Sequence, residues 1–391
     1  MQKSEYQEIV LQDVETFVKE EIRPLSSLIE ESEELPKNLI NKMAAKGYLG
    51  ACLPKEYGGL ELDPVYYGKF TELIGKACSA TRTLVTVHTS LVGQTLLRWG
   101  TRKQKEKWLP KLISGEKIGA FALSEPDVGS DAKNVQTRYF RDGNKYIIRG
   151  LKKWISLGDI ADLFIVIASN NGLITAFIVE RDMIGVSTKP IKRMLAGRAS
   201  HLAQVHFDDV IISEESSILG REGGGFDYIV STALDYGRYS IAWAGVALAQ
   251  EALDAMVAYS RKREQFGKKI HQFQLIQGII GDSVTKIHAA RSLCLKAGEM
   301  RKNSDEEAGI ETTIAKYFSS KVASQITAEA VQVHGGYGCS SLYPVERLFR
   351  ESKVLEIIEG TSQIQQIIIS NYGLRKYYNK DIDYVNHHQK I

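Results

Sequence analysis

The chain has 391 residues, 43% of them hydrophobic and 25% charged, with a formal net charge of +3. That composition is typical of an ordinary soluble protein with two or three domains. The small charge, without any block of like charges, argues against nucleic acid or an anionic membrane as the main partner.

The chain divides into three regions and a tail. Residues 1–118 carry apolar residues at three-to-four spacing and predict successive helices, with a buried one in ATRTLVTVHTSLVGQTLLRWG. Residues 119–227 change to a period of two and predict a compact β domain. Residues 228–377 return to long helices, and residues 378–391 form a polar tail.

Two turn signals support the β domain. Asp142-Gly143 and Asn171-Gly172 each separate alternating segments, which predicts a β-hairpin at each site. The fold class is therefore mainly α with a middle β domain.

The four cysteines, Cys52, Cys78, Cys294 and Cys339, form no CxxC pair. We therefore predict neither a metal site nor a disulfide framework, which fits a reducing compartment. The N-terminus is acidic and amphipathic rather than a signal peptide, and no apolar run approaches the roughly 18 residues that span a bilayer. We expect a cytoplasmic protein without a membrane span.

Four segments combine glycine, hydroxyl, aromatic or basic residues in ways that suit a ligand, and each also has a plain structural explanation. FALSEPDVGSD at 121–131 can grip a polar ring or phosphate, or be a capped β-turn. KKWISLGDIADLF at 152–164 can lay an indole against a flat cofactor, or bury it. RKREQFGKKI at 261–270 can receive a pyrophosphate, or face its own helix dipole. VQVHGGYG at 331–338 can let the backbone approach a ligand, or be a C-cap.

A fifth segment, LEIIEGTSQIQQIII at 355–369, places Glu359 between an apolar pair and a glycine. If Ile357 and Ile358 keep this carboxylate dry, its pKa is raised and it becomes a stronger base. The alternative is that Glu359 or Thr361 only caps the following helix.

Taken together and in order, these segments resemble the acyl-CoA dehydrogenase family from about residue 5 to residue 376. The resemblance rests on FALSEPDVGSD, KKWIS, ALDYGRYSIAWAGVALAQEALD, RKREQFGKKI, QVHGGYG, YPVERLFRESK and EIIEGTSQIQ. It implies an N-terminal helical domain, a β-barrel-like middle domain, a C-terminal four-helix bundle and FAD as cofactor. Because the family shares its FAD site between subunits, a homotetramer, or at least a dimer, is also implied.

The resemblance also implies roles for individual residues. The residues matching the family's flavin-binding segments are Leu123, Ser124, Gly129, Ser130, Trp154, Ile155, Ser156, Arg263, Phe266, Gln274, Gln332, Gly335, Gly336, Thr361 and Gln363. Those matching its substrate-binding positions are Ser130, Asp235, Gly237, Arg238 and Gly360, with Asp235 and Arg238 as a pair near the thioester end. Glu359 matches the catalytic base, which removes the α-proton of an acyl thioester while flavin N5 accepts the β-hydride.

Three stretches depart from the common fatty-acid pattern: WISLGDIADLF, RMLAGRASHLAQVH at 193–206, and ALDYGRYSIAW, where Gly237 replaces a bulkier residue. They resemble the branch that acts on acyl-carrier-protein thioesters and helps to make hydroxymalonyl, methoxymalonyl or aminomalonyl extender units for polyketides. We therefore expect a glyceryl or seryl group on a carrier protein as substrate.

Three rival functions stay open. A catabolic short- or branched-chain acyl-CoA dehydrogenase that reduces electron-transfer flavoprotein would share every motif except the departures. A flavin-dependent oxidase or monooxygenase is disfavoured by Glu359, which such relatives often lack. A non-catalytic helical scaffold would be colourless when purified.

Overall fold

The computed structural model describes residues 3–213 and 217–378, so the predicted polar tail lies almost entirely outside the described residues. The N-terminal region is helical, as predicted. Its α-helices are α1 Lys3–Phe17, α2 Ser26–Ser32, α3 Lys37–Ala45, α4 Pro64–Ala77, α5 Ser79–Val85, α6 Gln94–Trp99 and α7 Arg102–Ile113. Short 3-10 turns lie at Arg23–Leu25, Tyr48–Gly50 and Lys55–Tyr57, and π-helical turns at Val18–Ile22 and Thr86–Gly93.

Local sequence explains where these helices begin. The Asp63 carboxylate accepts hydrogen bonds from the backbone N–H groups of Val65 and Tyr66, so it caps α4, whose first residue is Pro64. Thr101 and Gln104 form a reciprocal capping box on α7.

The predicted buried helix is interrupted. It begins as α5, continues as the fully buried π-helical segment Thr86–Gly93 and ends as α6. Within the π-helical segment, His88 Nδ1 accepts from the Gly119 N–H at 3.1 Å, so its Nε2–H donates to the Leu112 carbonyl at 2.9 Å. Burial lowers the His88 pKa to about 4, which keeps the ring neutral. The imidazole thus ties this segment to the start of the β domain.

The middle region is one mixed sheet. Its strands are β1 Gly119–Ala122, β2 Arg138–Asp142, β3 Lys145–Ile155, β4 Leu163–Asn170, β5 Leu173–Glu180, β6 Val186–Pro190, β7 Ala203–Ser213 and β8 Ile218–Leu219, with a 3-10 turn at Ala132–Asn134. The pairing order is β6-β7-β3-β2-β4-β5-β8, with β1 parallel to β4. Among the described strands β6 and β8 lie at the two ends of this order.

Both predicted hairpins are present. β4 and β5 pair from Asn170 to Leu173, and the two loop residues Asn171 and Gly172 have φ values of 50° and 85°. Positive φ at both positions is what a tight turn matching the strand twist requires. The first hairpin closes from Asp142 to Lys145.

The C-terminal region consists of long helices and one small β-hairpin. The α-helices are α8 Ser231–Ser260, α9 Gln274–Lys302, α10 Ala308–His334, α11 Val345–Leu355 and α12 Ser362–Lys376. The strands of the hairpin are β9 Glu264–Gln265 and β10 Lys268–Lys269. A π-helical turn at Gly225–Val230 precedes α8, and 3-10 turns lie at Ile270–Gln272 and Gly335–Cys339.

Helix α8 is the centre of this region and packs against α4, α9, α10 and the π-helical segment Thr86–Gly93. At its crossing with α10, a Cβ on Gly245 would lie 2.7 Å from the main-chain carbon of Ser319, so only glycine fits there. Residues 225–260 are long and apolar enough to cross a membrane, contrary to the sequence-based expectation, but 72% of the most apolar window is buried inside the protein. We interpret α8 as a core helix.

Candidate active site

The loop between α11 and α12 carries Glu359 in a strained conformation. Glu359 has φ 56° and Gly360 has φ 90°, so two consecutive residues are left-handed. A non-glycine residue in this region stores strain and persists only where the surroundings enforce it. The Thr361 hydroxyl then accepts from the Ile364 N–H at 3.3 Å and caps α12. The helix cap is therefore Thr361, and the Glu359 side chain takes no part in capping α12.

Three side chains from three helices hold the carbonyls of this loop. Arg238 Nε of α8 donates to the Glu359 carbonyl at 3.1 Å. Lys316 Nζ of α10 donates to the Gly360 carbonyl at 2.8 Å. Gln365 Nε2 of α12 donates to both carbonyls, at 3.1 and 2.9 Å. The loop therefore has little freedom to relax, and this accounts for its strained backbone.

The Glu359 carboxylate lies directly over Gly237 of α8. A Cβ on Gly237 would be 2.4 Å from Glu359 Oε2 and 3.0 Å from the Leu91 side chain. Oε2 is buried and has no hydrogen-bond partner among the described residues. Burial raises the Glu359 pKa from 4.5 to about 7, although Arg238, Lys316 and Arg82 favour the charged form. The site therefore holds a carboxylate whose Oε2 is buried and unpaired among the described residues, a proton acceptor suited to neutral pH.

The apolar pair before Glu359 does not provide this burial, contrary to prediction. Ile357 is 55% exposed, and Ile358 is only partly buried. The helix surface at Gly237 and Leu91 shields the carboxylate instead. Gly237 is thus required by the position of the acid, and its presence gives no information about the acyl group.

The cations beside Glu359 are themselves desolvated. Lys316 has no exposed surface, and burial lowers its pKa to about 8. Burial likewise lowers the pKa of Arg238. Asp235 does not pair with Arg238: its carboxylate accepts from Arg301 Nη2 at 2.5 Å. The two residues of the predicted pair therefore have different partners: Arg238 binds the Glu359 loop, and Asp235 binds Arg301 of α9.

The segments at 121–131 and 152–156 lie side by side. The Lys153 N–H donates to the Ser124 carbonyl at 2.9 Å, and Lys152 Nζ donates to the Leu123 carbonyl at 3.0 Å. An ion pair between Lys152 and Glu125, 2.8 Å long and almost fully buried, holds the two segments together. Glu125 also accepts from the backbone N–H groups of Gln136 and Thr137.

Trp154 faces outward at this join. Its φ is 64°, at a register shift in the β3–β7 pairing, and the residue is 45% exposed rather than buried. Ile155 turns into the core with 2% exposure, and Ser156 is partly buried. Gly129 and Ser130 are exposed, with open space beside Gly129. The two segments thus present an uncovered indole and polar loop on one surface.

A second cluster of predicted residues lines a cavity of about 820 Å³ in the C-terminal region. Its walls include Arg263, Phe266, Gln332, Gly335 and Gly336. Phe266 is 93% exposed, and a Cβ on either glycine would meet nothing within 4 Å. Gln274, the first residue of α9, and Gln363 of α12 are exposed outside this cavity.

Comparison with known families identifies the three regions of the chain. The models of the N-terminal, middle and C-terminal domains of acyl-CoA dehydrogenases match residues 4–116, 120–210 and 223–373, respectively. Together they cover most of the chain. The chain belongs to the acyl-CoA dehydrogenase family.

Individual relatives cover nearly the whole chain. The short-chain-specific acyl-CoA dehydrogenase of Clostridium acetobutylicum is 37% identical over 93% of this chain and 97% of its own length. The caffeyl-CoA reductase-Etf complex subunit CarC of Acetobacterium woodii is 36% identical over 89% of this chain and 92% of its own. The structure of butyryl-CoA dehydrogenase from Megasphaera elsdenii has a TM-score of 0.91 and 33% identity, covering 96% and 100% of the two chains.

Two solved structures bear on the carrier-protein prediction. FkbI, for biosynthesis of a methoxymalonyl extender unit, has a TM-score of 0.86 and 29% identity over 92% of this chain and 99% of its own. The prolyl acyl carrier protein oxidase AnaB has a TM-score of 0.88 and 27% identity over 95% and 99%.

As an acyl-CoA dehydrogenase, the protein is a FAD-dependent oxidoreductase that acts on CH–CH bonds, and the predicted fold class, enzyme class and cofactor are confirmed. The residues present fit FAD. The exposed Trp154 offers a flat surface for a ring, and the open backbone at Gly335 and Gly336 lies beside Arg263, which suits a phosphate. The individual residue assignments stay predictions.

Sequence reasoning missed several buried residues that surround the Glu359 loop or join the flavin-matching segments. Lys316, Gln365 and Arg82 touch or face the Glu359 loop, and Lys152 and Glu125 join the two flavin-matching segments. The sequence gives no clear signal for Lys316, because the same segment ETTIAKYFSSKVAS also contains Lys321, which is exposed.

Proposed function

We propose that this dehydrogenase uses Glu359 to remove the α-proton of a short acyl thioester. The observation that carries the proposal is the buried Oε2 without a hydrogen-bond partner, held beside Gly237 with a pKa raised to about 7. A carboxylate in water is too weak a base for a thioester α-proton, and desolvation strengthens it. The strained backbone restrains the base in one orientation.

The residues around Glu359 divide the remaining work. FAD, when bound, would supply the hydride acceptor for the β-hydrogen. The backbone N–H of Glu359 donates no hydrogen bond within the described residues, so it is free to donate to the thioester carbonyl as charge develops there. Arg238 and Gln365 keep that N–H in place through the Glu359 carbonyl. Lys316, beneath Gly360, stabilises the ionised form of the base.

We propose a small polar acyl group on an acyl carrier protein, of the glyceryl or seryl type, as substrate for extender-unit synthesis in the cytoplasm. Similarity to FkbI and to the prolyl acyl carrier protein oxidase supports this proposal. Two of the three sequence departures lie against each other: the Leu157 N–H donates to the Ser200 carbonyl at 2.8 Å, and the Asp159 N–H to the His201 carbonyl at 3.1 Å. Because these two stretches are in contact, we treat them as one departure from the common fatty-acid pattern, located in the middle domain.

The second candidate is a short-chain acyl-CoA dehydrogenase that reduces electron-transfer flavoprotein. The 37% identity to the short-chain enzyme of Clostridium acetobutylicum favours it, and the relative in an Etf complex supports such an electron acceptor. Both candidates use the same base and the same cofactor, so they differ only in acyl group and carrier.

We also propose a homotetramer, or at least a dimer. The first turns of α9 and the outer face of α12 carry apolar side chains that no described residue covers, including Leu275 at 85%, Ile367 at 56% and Leu374 at 72% exposure. Phe266, at the edge of the cavity, is exposed in the same way. Exposed apolar patches of this kind mark protein interfaces.

Anaerobic flavin reduction tests these proposals. Purified protein carrying FAD is mixed with butyryl-CoA, isobutyryl-CoA, glyceryl carrier protein and seryl carrier protein, and the loss of flavin absorbance is followed. Faster reduction by the carrier-protein thioesters supports the first candidate, and faster reduction by the acyl-CoAs supports the second. Reduction by none of them would refute both, as would wild-type-like reduction in the Glu359→Gln variant.

A further inference from the structure

Lys152 and Glu125 form the buried ion pair between the two flavin-matching segments, 121–131 and 152–156. Their side chains are 0% and 2% exposed, and Lys152 Nζ lies 2.8 Å from Glu125 Oε1. Burial lowers the pKa of Lys152 to about 8. Burial alone would raise the pKa of Glu125, but the charge of Lys152 and the hydrogen bonds to the carboxylate outweigh it and lower that pKa. The pair is therefore ionised at neutral pH.

What this pair adds to the fold is direction more than stability. Two buried charges lose their hydration, and apolar side chains of the same volume often stabilise a fold equally well. Charged groups do, however, meet their partners at defined distances and angles. Glu125 also accepts from the backbone N–H groups of Gln136 and Thr137, at 2.5 and 2.8 Å. Lys152 also donates to the Leu123 carbonyl at 3.0 Å, so both side chains are held from several directions.

The bond from Lys152 to the Leu123 carbonyl fixes the orientation of one peptide group. A trans peptide is planar, so the N–H of Ser124 points away from the Leu123 carbonyl and therefore away from Lys152. Among the described residues, neither this N–H nor the Ser124 hydroxyl has a hydrogen-bond partner. Because Ser124 is only partly buried, it offers two free donors to a ligand at this surface.

Lys152 also lies at the point where the sheet stops supporting Trp154. The pairing of β3 with β7 is in register up to Lys152, opposite Val205, and shifts before Ile155, opposite Ala203. Trp154 lies within this shift with φ 64°, and its side chain is exposed. The backbone at Trp154 is therefore held by the residues on either side of the shift. Of these, Lys152 is the one that the ion pair ties to the other flavin-matching segment.

We propose that Lys152 and Glu125 are positioning residues for the flavin, and that by fixing the Ser124 donors they make the protein bind reduced FAD more tightly than oxidised FAD. Two-electron reduction adds negative charge to the pyrimidine part of a flavin ring. A donor that is already held in place stabilises such charge more than it stabilises the uncharged form. The inference concerns the cofactor and goes beyond the proposed reaction at Glu359, since it does not depend on which acyl thioester is oxidised.

Removing the pair frees the peptide group between Leu123 and Ser124 to turn. The fixed donor is then lost, and binding of reduced FAD should weaken about tenfold more than binding of oxidised FAD. The two affinities are linked to the reduction potential, and a tenfold change in a two-electron equilibrium corresponds to about 30 mV. The midpoint potential of the bound flavin should therefore fall by about 30 mV.

The test compares wild type with the double variant Lys152→Met, Glu125→Gln, which removes both charges and so leaves neither buried without a partner. The control is Lys296→Met, Glu311→Gln, a lysine–glutamate pair with the same 2.8 Å separation that links α9 to α10. Each FAD-loaded protein is titrated with reductant in the presence of a reference dye, and the midpoint potential is read from the absorbance spectra. No acyl thioester is added, so the result does not depend on the chemistry of Glu359.

We expect the potential of the double variant to lie about 30 mV below wild type and that of the control to be unchanged. A fall smaller than about 10 mV, which is a twofold change in the equilibrium, or a rise would overturn the inference. A pair that only stabilised the fold would lower the melting temperature and leave the potential as it is. If the double variant does not fold, Glu125→Gln, which keeps the side-chain volume, decides the matter by the same 10 mV limit.

Discussion

Replacing Gly237 with alanine tests whether the catalytic carboxylate lies where the structure places it. The new methyl group would sit 2.4 Å from Glu359 Oε2, and ordinary contact begins at 3.4 Å, so the carboxylate has to move by about 1 Å. A displacement of that size in a reacting group costs about 100-fold in rate, or about 3 kcal/mol of transition-state stabilisation. We therefore expect a flavin-reduction rate constant about 100-fold below wild type.

The loss should exceed any effect on stability. Gly237 lies inside helix α8, where alanine is favoured over glycine by up to about 1 kcal/mol, which offsets part of the crowding against Glu359 and Leu91, so the melting temperature should fall less than in Gly245→Ala. Rapid-mixing measurement of flavin reduction at saturating thioester separates the chemical step from binding. Bound FAD, measured from the flavin-to-protein absorbance ratio, should be unchanged.

Gly245→Ala is the matched control on the same helix. Its new methyl would collide with the main chain of Ser319 at 2.7 Å, far from the base, so it should lower the melting temperature and keep the rate constant of the folded enzyme. If Gly237→Ala reduced flavin at the wild-type rate, the carboxylate would react from another position and the proposed geometry would be wrong.

Three further predictions concern charge and hydrogen bonding. The kcat/KM of wild type should rise with pH through about 7 as Glu359 ionises, and Glu359→Gln should cost about 10²- to 10⁴-fold in rate. Because the folded pKa of Glu359 lies above the ordinary 4.5, ionisation destabilises wild type. The unfolding free energy of Glu359→Gln relative to wild type, measured by denaturant titration, should therefore rise as the pH increases from 4.5 and reach a gain of about 3 kcal/mol above pH 7. A flat pH profile would contradict this prediction. Lys152→Met leaves Glu125 buried without its cation and should lower the unfolding free energy by about 3–5 kcal/mol. The double variant that adds Glu125→Gln should recover part of this loss. A loss below about 1 kcal/mol in Lys152→Met would refute the role of the pair. Gln365→Leu removes both side-chain hydrogen bonds to the Glu359 loop and should lower kcat about tenfold with FAD content unchanged. Gln366→Leu changes the exposed neighbouring residue and should have no effect. Equal rates in the two variants would argue against a positioning role for Gln365.

Much of the fold is readable from local sequence because local rules govern it. The change of period from three-to-four to two and back locates the helical and β regions, and the Asn171-Gly172 pair determines its hairpin by allowing positive φ. Likewise, the order of the seven motifs is sufficient to indicate the family, and it predicts Glu359 as the base. The interruption of the buried helix by π-helical turns at Thr86–Gly93 has no such local signal, because tertiary packing of α8 and β1 surrounds that segment.

Sequence by itself thus determined the family and the cofactor, and it predicted Glu359 as the acid that acts. Only the tertiary structure decided why that acid is basic. Its pKa depends on burial beside Gly237 and Leu91 and on the fields of Arg238, Lys316 and Arg82, residues that lie far apart in the chain. The neighbours in sequence gave the wrong explanation, since Ile357 points to solvent. Burial and electrostatic fields arise from groups that folding brings together, and no local pattern encodes those distances.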